Sequence, residues 1–278
     1  MGNICIIGPR SSGKTTYLAG LAYWPDKKRT SKKSSLFKVE AIGDAKELVT
    51  KAEDIICEGA SLPPTDILGG IHEAPLYQFQ IQIKTPITRL LKKPDEINLV
   101  VRDYPGEVFD DLASGTSNPL HEEFLDECLV PDMDGCLLLL SEWTPGTDKF
   151  YSKVIEKFIE LMDRQSRIDN FRLAVAMSKC ERGELWPGRL DPETDIFELY
   201  LPRTRNLLRD SIPKNNLQFY ATSTFGVLRR NDPRPNRIDR PGKNGRHAVL
   251  RQAKYWRPYA MIAPLYWLSQ GRRMRADA

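Results

Sequence analysis

Residues 76–83, LYQFQIQI, alternate apolar and polar positions, whereas GCLLLLS (135–141) and RLAVAMS (172–178) are apolar almost throughout. The first pattern predicts a strand with one buried face, and the other two predict strands covered on both faces. ICIIG at 4–8, LFKVEAI at 36–42, INLVVRDY at 97–104 and NLQFYATS at 216–223 complete the predicted strands. Between them, apolar residues recur at helical spacing in KTTYLAGLAYW (14–24), DAKELVTKAEDIICEGA (44–60, opened by Asp44), LHEEFLDECL (120–129), KFYSKVIEKFIELMDRQ (149–165) and ELYLPRTRNLLRDSI (198–212). Strands alternating with helices predict an α/β fold with a mostly parallel sheet. SLPPTDILGG (61–70) reads as loop, because paired prolines and paired glycines break both regular structures. PDKKRTSKKSS (25–35) reads as an exposed basic loop, and 247–271 as helix on both sides of Pro258.

Charge divides the chain. From Phe225 onward thirteen basic residues face three acidic ones, a local excess of +10, while the rest carries 28 basic and 34 acidic residues, or −6. A charge run of this kind, RRNDPRPNRIDRPGKNGRH at 229–247, is expected to be a solvated loop. Its lack of aromatic residues speaks against a single-strand nucleic-acid surface. Five scattered cysteines without a C-x-x-C pair are expected to be reduced core thiols. No apolar run approaches a membrane span, and a strand starting near Asn3 leaves no room for a signal peptide. A single domain in the cytoplasm, 1–278, is the expectation.

GPRSSGKTT (8–16) fits G-x-x-x-x-G-K-[ST], with Gly8, Gly13, Lys14 and Thr15 in the fixed places, between a strand and a helix. Such a loop turns its backbone N–H groups, here including those of Ser11, Ser12 and Thr16, toward anionic oxygens at a helix N-terminus. Lys14 would reach the β- and γ-phosphates, and Thr15 would ligate Mg²⁺. A nucleoside triphosphate is therefore the expected ligand. LVVRDYPGE then places Asp103 at a strand end with Gly106 three residues later. An acidic residue there can hold the Mg²⁺ shell and a glycine N–H can meet the γ-phosphate, although Asp-Tyr-Pro-Gly also suits a plain tight turn.

In order and position these motifs resemble those of the small-GTPase-like proteins of the translation-factor-related class. The resemblance covers about residues 1–225 and implies the three-layer P-loop NTPase fold, with helices on both faces of the sheet. By that resemblance, AVAMSKCE (174–181) stands where N/T-K-x-D reads guanine: Lys179 matches the lysine, Ser178 replaces Asn, and Glu181 replaces Asp. FYATSTFG places Ser223 and Thr224 in the loop that meets the guanine oxygen. Thr65 is the candidate switch threonine and a Mg²⁺ ligand with Thr15 and Asp103. A strand and helix inserted at about 30–75 precede it, and a basic loop with a helical segment follows at about 226–278. The L-P-x-T loop and the W-L helix are similar to bacterial double-GTPase-like proteins. Two substitutions bear on catalysis. Glu107 stands where many relatives carry Gln; glutamate can accept from water, but its negative charge opposes the transition state unless Mg²⁺ or an Arg offsets it. Arg10 lies in the phosphate loop, where it would block water, act as a finger in cis, or point to solvent. The resemblance implies GTP/GDP and Mg²⁺ as cofactors, slow hydrolysis, and a protein effector, activator or second GTPase-like chain as partner. A nucleotide-dependent kinase, a nucleic-acid-associated NTPase and a non-hydrolysing adaptor stay open as rivals.

Overall fold

The computed structural model describes residues 3–27, 37–60, 74–83, 95–102, 106–115, 119–242 and 245–274. Its main strands are β1 (Asn3–Ile7), β2 (Phe37–Gly43), β3 (Leu76–Ile83), β4 (Asp95–Arg102), β5 (Met133–Leu140), β6 (Arg172–Met177) and β7 (Leu217–Ala221). They form one sheet in the order β2–β3–β4–β1–β5–β6–β7. Neighbours from β4 across to β7 are parallel, while β3 opposes both β2 and β4. All strands but β3 therefore end on the same edge, which is where open α/β sheets bind ligands.

Side-chain alternation splits the interior into two cores. Ile4 and Ile6 of β1 face one core, together with Leu137, Leu139, Ala174 and Ala176. Against them pack α1 (Lys14–Lys27), α2 (Ala45–Glu53) and α7 (Ala263–Gln270). Cys5, Ile7, Leu138, Leu140, Leu173 and Val175 face the other core. That side is covered by α3 (Glu107–Ser114), α4 (Pro119–Leu129), α5 (Pro145–Arg164) and α6 (Pro202–Ser211). The result is the three-layer α/β arrangement of P-loop NTPases. Buried positions in β3 and β4 belong to the α1 side alone, which is why LYQFQIQI alternates so cleanly.

Several local expectations need correction. Asp44 does stand at the N-cap of α2, but its side chain makes no cap bond; its carboxylate instead accepts the Leu76 N–H at 3.3 Å. The helix it precedes passes into a π-turn over Asp54–Glu58 and ends at Gly59. The basic stretch after β7 is not a solvated loop. It folds into two antiparallel hairpins, β8 (Val227–Arg229) with β9 (Asp232–Pro235), and β10 (Arg237–Gly242) with β11 (Gly245–Leu250). Nor is 247–271 helical on both sides of Pro258: strand β11 leads to a short turn at Ala253–Tyr255, and only α7 is helical beyond it. The SLPPTDILGG loop with Thr65, Asp103, and residues 28–35 of the first basic stretch lie outside the described residues. All five cysteines are free thiols, and burial pushes Cys136 and Cys180 up from the usual thiol range.

Candidate nucleotide-binding site

β1 stops at Ile7 and α1 starts at Lys14, so Gly8–Gly13 makes the connecting loop at the carboxyl edge of the sheet. The loop is tight. A Cβ at Gly8 would lie 2.4 Å from the Leu139 carbonyl oxygen and 2.7 Å from Ser12 Oγ, and Gly13 has φ +90°. Ser11 also takes a positive φ, +58°, a conformation that non-glycine residues adopt at a cost. Lys14 Nζ folds back across the loop, donating to Gly8 O at 2.6 Å and Pro9 O at 3.3 Å. The Ser12 hydroxyl is buried without a protein partner. Close glycine approach, a buried orphan hydroxyl and an adjoining helix N-terminus are the features an anionic group requires, so the loop fits a phosphate.

Gly106, the last residue of the D-x-x-G motif, is brought onto this loop. A Cβ at Gly106 would lie 2.4 Å from Arg10 N and 2.6 Å from Arg10 Cα, so the two backbones touch. The Arg10 guanidinium turns to Asp110 of α3, at 3.8 Å between largely exposed side chains. The side chain stays mostly exposed in this arrangement. The Glu107 side chain is outside the described set, although its backbone opens α3. Among the described residues, no three or more His, Cys, Asp or Glu side chains form a metal-binding group. Thr15 and phosphate oxygens are donors compatible with Mg²⁺, an ion usually held by one or two protein oxygens and the phosphates of its substrate.

The second segment sits on the first. Past β6, the Ser178 hydroxyl donates to Ser12 O at 2.6 Å, and Lys179 Nζ donates to Ser11 O at 2.5 Å. Lys179 has φ +56°, and burial, reinforced by the charges of Arg237 and Arg182, lowers its ammonium below the usual lysine range. Glu181 is fully buried. Its carboxylate accepts the Ser223 hydroxyl at 2.6 Å and faces Arg237 Nη1 at 3.4 Å. Ser223 in turn donates its backbone N–H to Tyr259 O at 3.0 Å, and Thr224 O accepts the Trp256 indole N–H at 2.7 Å. The four quoted motif segments that are described thus converge on one edge.

Arg237, Tyr259 and Trp256 escaped the sequence reading. Arg237 is one arginine in a run of them, and only the fold distinguishes it. Asn236 beside it is fully buried, which no pattern announced.

No family model matches the sequence, and no curated protein does. Among solved structures, sup35 complexed with GDP aligns with 80% of this chain at 14% identity and a TM-score of 0.32. Sup35 complexed with GMPPNP aligns with 81% at 12% identity and a TM-score of 0.37. In each case the chain spans 37% of the other protein's length. At that level of overlap, function has to come from the residues themselves.

Proposed function

We propose that the chain is a Mg²⁺-dependent guanine-nucleotide-binding protein, a slow GTPase that serves as a switch for a protein partner. The observation that carries this reading is the pair of bonds from Ser178 and Lys179 to the carbonyls of Ser12 and Ser11. They fasten a S-K-x-E segment to a phosphate loop, so one nucleotide can touch both. Lys14 exchanges its loop carbonyls for phosphate oxygens, a charge-assisted replacement. The loop N–H groups and the start of α1 orient the phosphate chain. Mg²⁺, when bound, supplies Lewis-acid neutralisation of the phosphate charge, with Thr15, Asp103 and Thr65 as the residues that would hold it. Lys179 packs its stem beneath the base and Glu181 accepts the guanine N–H groups. A carboxylate at Glu107 adds negative charge where the transition state already gathers it, so hydrolysis is slow and the triphosphate form persists.

A cytoplasmic effector, an activating protein or a second GTPase-like chain would read that form, as in the bacterial double-GTPase-like group. Among the described residues no helix is long and apolar enough to cross a membrane. Titration with non-hydrolysable GTP and ATP analogues, with phosphate release followed alongside, tests the assignment. Tighter GTP-analogue binding with slow release is expected; equal affinity for both analogues would overturn the guanine reading. Hydrogen exchange should differ around Thr65 and from Tyr104 to Ser114 between GTP-analogue and GDP states. Identical exchange would leave a non-switching adaptor in its place.

A further inference from the structure

Glu181 raises a difficulty that the reading above leaves standing. A carboxylate that reads guanine has to present both oxygens to the base, yet this one is sealed from solvent. Arg237, with a side chain 13% exposed, sits against Oε1, and the Ser223 hydroxyl occupies Oε2. The arginine comes from β10, a strand of the basic segment. It is held in place from behind. Asn236 donates its backbone N–H to Gly226 O at 2.9 Å and its side-chain amide to Gln252 O at 3.1 Å, and it accepts the Gln252 N–H at 2.8 Å. Gly226 N–H reaches the Ser223 hydroxyl at 2.7 Å, which closes the connection back to Glu181. The neighbouring Ser223 amide is likewise spent, on Tyr259 of the same C-terminal segment.

We propose that Arg237 is a specificity-determining plug: it competes with the nucleobase for Glu181, so that only a base edge with two adjacent donors displaces it. The inference rests on the guanine-binding reading and adds to it. An entering base has to replace a charge-assisted contact to a desolvated carboxylate, and a ligand that fails to do so leaves that carboxylate unpaired. Guanine offers N1–H and the 2-amino group side by side and can compensate for both lost donors. Hypoxanthine offers N1–H alone. Adenine turns an acceptor nitrogen toward the carboxylate and compensates for nothing. The plug therefore decides which base enters the Glu181 pocket, at a cost in affinity that falls most on guanine and not at all on a ligand that leaves Arg237 in place. Once displaced, Arg237 keeps a partner in Asp239, two residues along the same strand, with which it is already paired.

The test is calorimetric titration of GDP, IDP, ADP and pyrophosphate against the wild-type chain and Arg237→Gln. The variant should bind GDP about tenfold more tightly, or ~1.4 kcal/mol, with IDP gaining less and pyrophosphate unchanged. Base-selective binding by the wild type with unchanged or weaker GDP binding by Arg237→Gln would overturn the plug alone. Wild-type binding of GDP and ADP with equal affinity would overturn the guanine reading and the plug with it. Should Arg237→Gln fail to fold, hydrogen exchange on the wild-type chain decides. GDP should deprotect residues 237–242 and pyrophosphate should not; equal protection with both ligands sinks the proposal.

Discussion

At the phosphate end of the site, the polar groups are held by bonds that one flexible side chain can release. Lys14 rests on two carbonyls of its own loop, and the Ser12 hydroxyl has no protein partner. At the base end, the Glu181 carboxylate and the Ser223 amide are engaged by Arg237 and Tyr259 from the C-terminal segment. The difference has a physical origin. A phosphate carries enough charge to displace lysine–carbonyl contacts, because an ammonium facing a phosphate gains an ion–ion attraction that a neutral carbonyl does not offer. A neutral base has no such advantage over an arginine. On the proposed reading, the phosphate end sets whether a nucleotide binds, and the base end sets which one.

The comparison breaks most visibly at Lys14. Lys14→Ala removes the one ammonium of the phosphate loop and should weaken binding of a GTP analogue and of pyrophosphate together, by ~100-fold or about 2.7 kcal/mol. Calorimetric affinities within threefold of wild type for both ligands would remove the loop from the site. The second-largest effect should fall on the base end without touching the phosphate end. Asn236→Ala orphans the Gln252 N–H and carbonyl beneath β10, at a cost of about 1–3 kcal/mol in stability. Chemical denaturation should show that loss, while pyrophosphate affinity in native buffer stays at the wild-type value. A variant as stable as wild type would mean that the Asn236 bonds do not anchor the hairpin.

Glu181→Gln sharpens the contrast further. The amide keeps the length of the side chain but replaces one acceptor oxygen by a donor, which meets the guanine N–H edge unfavourably. GDP affinity should fall about tenfold, equivalent to ~1.4 kcal/mol, and ADP affinity should hold. If a competition titration shows both falling equally, Glu181 supports the fold and does not read the base.

The phosphate end was legible because its chemistry is local. Gly8, Gly13, Lys14 and Thr15 lie within eight residues, and the strand and helix on either side announce themselves by periodicity. Strands β1, β5 and β6 were legible for a similar reason: both faces are buried, so the apolar run is unbroken. The base end was half legible. Ser178, Lys179 and Glu181 follow a recognisable strand, but what they touch lies some 40 to 170 residues away, at Ser223, Arg237, Ser11 and Ser12. The hairpins were missed because β9 and β10 are rich in Arg, Asp and Pro and carry almost no apolar residues. The features that make them strands are register with each other and the buried Asn236, neither of which a charge pattern displays. Pro258 suggested two helices around it, where in fact its neighbour Tyr259 makes an extended bridge to Ser223.

The smallest expected effect returns to the phosphate end. Arg10 Nε lies 3.8 Å from Asp110 Oδ2, with both side chains mostly exposed. Exposed pairs of this kind contribute about 0–1 kcal/mol, because solvent screens the charges and two side chains lose freedom to meet. The stronger contact between these segments is the backbone of Arg10 against Gly106, which a change at Asp110 leaves intact. Asp110→Asn should therefore change GTP-analogue affinity by less than about twofold and leave the melting temperature nearly as it was. A different outcome would be informative. If the released guanidinium swings to the γ-phosphate, phosphate release by Asp110→Asn should accelerate, with the increase vanishing in Arg10→Ala/Asp110→Asn. That pattern would make the Asp110 pair a restraint on a finger in cis, and the phosphate end would then hold a blocked group of its own, as the base end does.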